Sequence, residues 1–360
     1  MRKITILVAA FAMIAITGCK KEENRGLVPD ENGMVTFTTS GEYYTNNNGD
    51  KQTYYRNRIM FDNGDQMWFN GVAAAIDCYD INDATNHPTH SYWGKVSVPA
   101  AAVVDDNVML YPKELFTAGT AADYSDWTVE MYDEVDMLPA INTHYAALPG
   151  TYQSWPMAAH TGTNNFLMKN TVALLAPSIK FDFDFIEYAR LAGKFGTADV
   201  SYDEDNLPEI FLTKVVLTST DAKLAGTGYI NGLYTDAPTL VMNEDATNGY
   251  HMTAYPVDEL NPTFTPNGGT EVIIGNIPVA PMANGKHLQV TYYFTLTFPA
   301  MGDATAPTVF YVKYVGNNVE LTGGQVSVLR SQRTTLCCNL ADGSPAHLAQ
   351  TYVQTTPFVD

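Results

Sequence analysis

Along most of this chain large apolar residues return at every second position. Val35, Phe37 and Thr39 share one face of Met34 to Tyr44, with Thr36, Thr38 and Ser40 on the other. Val290, Tyr292, Phe294, Leu296 and Phe298 line one side of Leu288 to Phe298, while Ile179, Phe181, Phe183 and Phe185 alternate with Lys180, Asp182 and Asp184 within Val172 to Phe185. A period of two belongs to a strand with one buried side, and a helix would repeat every 3.6 residues. The same reading predicts strands over Tyr54 to Phe61, Gln66 to Val72, Tyr92 to Val98, Val108 to Tyr111, Ile210 to Thr218, Gly226 to Tyr234, Thr270 to Ile277, Val309 to Tyr314 and Gln325 to Leu336. Turns rich in Gly, Pro and Asn separate them, and Ile186 to Gly193 holds a helical turn or two at most. The fold class this predicts is all-β.

Three stretches break the pattern. Ile4 to Ile16 is a continuous apolar run after Arg2 and Lys3, too short to span a bilayer as a mature helix and laid out as a secretory signal. Leu148 to Asn170 is punctuated by Pro149-Gly150 and Trp155-Pro156 and reads as a crossing between two strand-rich halves. Beyond Gly343 and Pro345, the tail carrying Tyr352, Pro357 and Phe358 is extended and has no turn partner of its own, which suits a strand intended for another sheet.

Composition narrows the chemistry. A length of 360 residues favours two domains, and 22 tyrosines with few charged residues suit short strands. The formal net charge of -19 argues against nucleic acid, whose phosphates such a surface repels. Cys78 could bridge to Cys337 or Cys338, although buried free thiols are the favoured reading. His87 and His90, across Pro88, could be two metal ligands, but an exposed turn explains them better; the turn Asp62-Asn63-Gly64-Asp65 lacks the further carboxylates of a calcium loop and reads as a hairpin. The acidic, aromatic stretch Asp123 to Asp136 holds Glu130 and Asp133, which could act as an acid and base on a glycoside, but solvated loops of this composition are commoner. Local motifs show no nucleophile elbow or zinc signature, so an enzyme is not expected, and neither is a cofactor.

The tetrad Ile16-Thr17-Gly18-Cys19 resembles the lipobox of bacterial lipoproteins, which implies cleavage between Gly18 and Cys19 and lipid, palmitate included, on the Cys19 thiol and amine. Several acyl chains hold a protein on a membrane durably. Lys20 to Asn32 then reads as a tether, with Lys21-Glu22-Glu23 similar to the charged export signals of surface lipoproteins of the Bacteroides group.

In order along the chain, this lipobox, FDNGDQMWF, VMLYP, LPGTYQSWPMAA and LTKVVLTSTDAKLAGTGYI resemble fimbrillin-type lipoproteins of the Bacteroides group. The chain departs from that family at Phe61-Asp62-Asn63-Gly64-Asp65, where a Trp often precedes the Gly-Asp, and in Cys337-Cys338 and the tail. The resemblance implies two tandem transthyretin-like β-sandwich domains after a lipoprotein signal peptide. Residues 1–18 would be the signal, 19–33 the tether, 34–165 and 166–340 the sandwiches, and 341–360 a donor strand. The implied role is a structural subunit, anchor or tip adhesin of a cell-surface fimbria (pilus) at the outer membrane. Such subunits join by strand exchange: Met34 to Tyr44 would be the removable strand, Arg56 or Arg58 the processing site, and Tyr352 and Phe358 the plugs of the donor. The expected partners are other fimbrial subunits, the membrane through Cys19, and a host or bacterial surface glycan or protein. A competing reading is a non-polymerising surface lipoprotein that binds glycan on Trp68, Trp93, Trp127 or Trp155, although buried tryptophans are the commoner case.

Overall fold

The computed structural model describes residues 27–46, 60–83, 87–137, 155–180, 209–245, 247, 249–256, 271–273, 275–300, 306–322, 328–339, 348–354 and 356–358. Gly18, Cys19, Arg56 and Arg58 lie outside these residues, as does Ile186 to Gly193.

The protein is all-β. Among the described residues seven strands close a barrel in the order Met34–Gly41, Asn165–Asn170, Met157–Thr161, Asn107–Tyr111, Gln66–Phe69, Val72–Cys78 and Trp93–Pro99, with the last bonded back to the first. Met34–Gly41 and Asn165–Asn170 run parallel, and the other neighbours are antiparallel. Val35, Phe37, Met67, Phe69, Ile76, Val96, Met109 and Phe166 fill the interior, as the period of two requires. The family resemblance implies a transthyretin-like β-sandwich here. The sheet closes instead because Met34–Gly41 bonds both edges that would otherwise be free, Trp93–Pro99 on one side and Asn165–Asn170 on the other.

Two further expectations change. Gln66 to Val72 is not one strand: Asn70 and Gly71 take φ of 46° and 78° and turn the chain, so that Phe69 pairs with Val72. Two left-handed residues in a two-residue loop suit the twist of a hairpin, which is why Asn-Gly recurs there. The stretch expected as a crossing carries the barrel hairpin Met157–Thr161 and Asn165–Asn170.

Phe61–Asp62 and His90–Ser91 pair as a short two-stranded sheet, and most of the other described strands form three sheets around a second core. One runs Glu134–Asp136, His251–Tyr255, Glu209–Thr218, His287–Phe298, Thr308–Gly316, Leu348–Gln354; another runs Glu271–Ile273, Ala173–Lys180, Gln332–Asn339, Thr45–Asn46; the third joins Thr239–Met242, Gly226–Asn231, Thr128–Met131 and Phe116–Thr117. Asn107–Tyr111 is buried throughout because it is a wall between the cores. Met109 and Tyr111 face the barrel interior, while Val108 and Leu110 belong to the second core. Its uninterrupted apolar run follows from burial on both faces.

The tail is not unpaired. Leu348–Gln354 lies antiparallel to Thr308–Gly316 at the end of its sheet, with Tyr352 opposite Lys313, and the Phe358 ring packs edge-on to Tyr293 at 5.9 Å.

Candidate functional site

The first strand is bonded along both of its edges. Seven of its residues, Met34 to Ser40, face Pro99 to Trp93, and Thr38 to Gly41 face Asn165 to Met168. Asp30 starts it: its carboxylate accepts from the backbone N–H of Asn32 and of Met34, each at 2.9 Å, while Gly33 supplies the positive φ of the turn. Inward, Val35 and Phe37 are buried, and the Phe37 ring lies 4.7 Å from Phe69 and 5.6 Å from Phe166. Gly94, opposite Thr39, makes this fit possible, since a Cβ there would stand 2.4 Å from Ile76 Cγ2. Outward, the Thr36 and Ser97 hydroxyls are 2.9 Å apart, and Thr38 donates to Asn165 Oδ1.

The seam contains one defect. Thr39 Oγ1 is buried without a hydrogen-bond partner among the described residues. An orphaned hydroxyl of this kind costs about 1–3 kcal/mol.

Past Gly41 the chain is latched to the second core. Arg330 grips Glu42 with two nitrogens, Nη1 to Oε2 at 2.6 Å and Nη2 to Oε1 at 3.3 Å, and Nη1 also donates to the Asn170 carbonyl at 2.8 Å. Asn170, fully buried, donates its backbone N–H to Glu42 Oε2 and its amide nitrogen to the Glu42 carbonyl and to Ser331 Oγ. Lys169 stands 3.7 Å from the same carboxylate. Tyr44 then packs edge-on to Trp155 at 6.1 Å beside Leu174, and Thr45–Asn46 runs parallel to Gln332–Asn339. Glu42 and Arg330 are separated by 288 positions. No local pattern announces such a pair.

Removing this segment would do two things. It would leave a one-strand gap, about 10 Å wide at the usual strand spacing, lined by backbone groups and by an exposed aromatic core. It would also leave the Arg330 guanidinium, whose side chain is only 19% exposed, without its carboxylate.

The other sequence candidates do not converge on a common centre. Asp65 accepts from the Asp62 backbone at 2.9 Å and from the Tyr111 hydroxyl at 2.5 Å, and Asn63 accepts from the Cys78 backbone at 3.0 Å, so the acidic turn is a tied hairpin element. His87 bonds Asp77 at 2.8 Å, whereas His90 stands 4.0 Å from Asp62. Among the described residues no three metal-ligating side chains come together. Cys78 is free and buried, its thiol donates to the Phe61 carbonyl at 3.3 Å, and burial pushes it up to about 12. Within the acidic stretch, burial raises the Glu130 carboxyl and Asp133 adds to this, while Asp126 is held low by the Thr120 and Ala121 amides. Trp155 and Trp127 are buried. Phe358 packs against Tyr293 of its own chain, and the backbone of Tyr352 is paired within its own chain's sheet.

No family model matches the chain. No curated protein matches it either. It is similar to solved proteins of the Bacteroides group. They include a candidate cell adhesion protein from Bacteroides uniformis, at 12% identity and a TM-score of 0.37 over 90% of this chain and 99% of that one. Another, from Bacteroides ovatus, matches at 13% and 0.36 over 90% and 98%. A fimbrial protein from Bacteroides ovatus matches at 11% and 0.30 over 83% of this chain and 47% of that one. Superpositions this loose carry no functional argument by themselves.

Proposed function

We propose that this chain is a fimbrial subunit of the bacterial surface, exported as a lipoprotein and assembled by exchange of its first strand for a strand from a neighbour. The observation that carries the reading is the closure of the barrel by one terminal strand, bonded on both sides and followed by a separate latch. A sheet with one strand missing is an acceptor for a strand from another chain, with backbone bonds giving affinity and inward pockets giving specificity. The pockets that Val35 and Phe37 fill are such sites. The orphaned Thr39 hydroxyl lowers the affinity of the resident strand and favours its replacement.

In this reading Cys19 carries lipid after cleavage behind Gly18, and residues 19–33 tether the barrel to the outer membrane. A cut after Arg56 or Arg58 separates the whole segment through Asn46, freeing strand, latch and Tyr44 anchor together; a cut at Arg25 would leave the gap filled. The donor is the C-terminal tail with Tyr352 and Phe358. Among the described residues it is bonded on one side only within its sheet, so it can leave without opening that sheet's interior. The role is structural rather than enzymatic, as shaft, anchor or tip.

The Thr36→Cys/Ser97→Cys pair tests this. The two residues face each other with hydroxyl oxygens 2.9 Å apart, close enough for a disulfide to form across the seam. Oxidised, the protein should give a single band in mild detergent even after trypsin-like processing; reduced, it should give a ladder that collapses on boiling, since shared-sheet polymers dissociate slowly. A ladder from fully oxidised protein would sink the proposal.

A further inference from the structure

Away from the seam, two hollows of about 380 Å³ and 330 Å³ share three rings, those of Tyr124, Trp127 and Tyr234. Tyr229 lines the larger one. Tyr229 and Tyr234 are 41% and 42% exposed, whereas Trp127, at 7%, forms the floor, braced edge-on by Trp68 at 5.5 Å and against Tyr124 at 5.1 Å.

The rings are held in place. Tyr124 sits at a φ of 62°, a conformation that bulky residues rarely adopt. Its loop is drawn around the Asp126 carboxylate, which accepts from Thr120 N at 2.6 Å, Thr120 Oγ1 at 3.0 Å and Ala121 N at 3.0 Å. Gly119 is there because a Cβ would collide with that carboxylate at 1.9 Å. Tyr234 is steadied by the His160 ring at 5.8 Å, itself bonded to Asp106 at 3.1 Å. Rigid aromatic faces of this kind cost little entropy on binding.

Around the rings stand acceptors and amides: Asp106 and Asn70 at one hollow, Asp123 and Asn231 at the other. Asn70 is already bonded to Ala102, Asn107 and Val108, but a purely apolar ligand would take water from the Asp106 and Asp123 carboxylates. An anionic one would meet two carboxylates on a chain of net charge -19. A pyranose satisfies both requirements, having a face of C–H groups to lie on a ring and a rim of hydroxyls to donate to carboxylates and amide oxygens. Burial, with Asp106 and Asp123 nearby, raises the Tyr234 phenol, so it remains a neutral donor. The volumes lie within the range of about 300–1,000 Å³ typical of ligand sites.

We infer that this double hollow binds a neutral oligosaccharide, one sugar ring in each hollow and the Tyr124 and Tyr234 rings shared between them. The site is separate from the seam and does not depend on polymerisation. Trp127 lines both hollows but is buried; the well-exposed rings are those of Tyr229 and Tyr234.

The test uses the Thr36→Cys/Ser97→Cys protein in its oxidised form, on an array of neutral xylo-, cello-, manno- and galacto-oligosaccharides with their sulfated and sialylated counterparts. Binding to at least one neutral chain is expected, insensitive to added salt and weakened about tenfold or more by Tyr234→Ala. Tyr229→Ala should weaken it too, and since both residues are well exposed, the thermal midpoint should not move. The inference is overturned if no neutral chain binds, if charged counterparts bind better, or if Tyr229→Ala/Tyr234→Ala binds as well as the parent.

Discussion

Replacing Phe37 by alanine should separate the two states that the chain can occupy. The side chain is fully buried, its ring 4.7 Å from Phe69 and 5.6 Å from Phe166. Phe→Ala at such a site costs about 3–5 kcal/mol, from lost transfer free energy and the cavity left behind. A domain of this size is stable by about 5–15 kcal/mol, so one residue of the first strand carries a large share. With a urea dependence of about 2 kcal/mol per molar, the midpoint of the barrel transition should fall by about 2 M, read by tryptophan fluorescence. Val28→Ala, at a residue 78% exposed, should move it by no more than about 0.5 kcal/mol. In a strand-exchanged polymer, Phe37 has left the barrel and a neighbour's side chain fills its pocket. The polymer should therefore lose nothing, and the shift in the exchange equilibrium should approach a thousandfold, at about 1.4 kcal/mol per tenfold. A midpoint shift below about 0.5 M, or equal losses in monomer and polymer, would refute the reasoning.

Glu42→Gln and Arg330→Met should each destabilise the protein by about 2 kcal/mol or more, and the double substitution by less than the sum, because each single change strands a partly buried charge; urea titrations of the four proteins give the coupling. Tyr111 donates to Asp65, and its phenol is raised well above its ordinary value of about 10 by burial and then by Asp65. The folded state thus holds the proton more tightly: this stability is fully present below pH of about 10 and is lost as pH rises through that value, by at most about 1.4 kcal/mol per pH unit. Tyr111→Phe should cost about 1.5–3 kcal/mol at neutral pH and flatten the alkaline slope in thermal melts. The Cys78 thiol, buried and raised to about 12, should resist a thiol-specific chromogenic reagent at pH of about 8 and react once urea unfolds the barrel.

The alternation of side chains located the strands and their buried faces, because a pleat writes its burial into every second residue. Val35, Phe37 and Thr39 face inward as that pattern predicts. What it does not encode is the partner. Thr38 pairs with Asn165 across 127 positions, and both an open sandwich and a closed barrel use strands with one apolar face. The difference lies in whether two edges meet, and nothing local records that. Asn70-Gly71 was legible, since Asn-Gly between apolar runs favours a hairpin, and the single strand expected over Gln66 to Val72 ran across it. The aromatic hollow was not legible, because Tyr124 precedes one strand while Tyr229 and Tyr234 lie in and after another, and it is the pairing of Thr128–Met131 with Gly226–Asn231 that brings them together. Search by residue type favoured tryptophans, but the core claimed Trp127 and Trp155.

The two strands that would exchange are held differently, and this gives a cut in the chain a physical purpose. Among the described residues the tail is bonded along one side, so its departure breaks one ladder. The first strand is bonded along both, buries Phe37 and is latched by Glu42, so its departure breaks two ladders and an ion pair. While the chain is intact, the strand also returns quickly, since a tethered segment acts at an effective concentration of the order of millimolar. Neither the ladders nor the ion pair would be touched by a cut after Arg56 or Arg58; the covalent link between the first strand and the rest of the barrel would. Once separated, the strand competes at its own low free concentration against a tail presented by a neighbour, and the orphaned Thr39 hydroxyl handicaps it further. Proteolysis in this scheme supplies no binding energy. It removes the concentration advantage of the resident strand, leaving exchange to follow the relative fit of two strands in one groove.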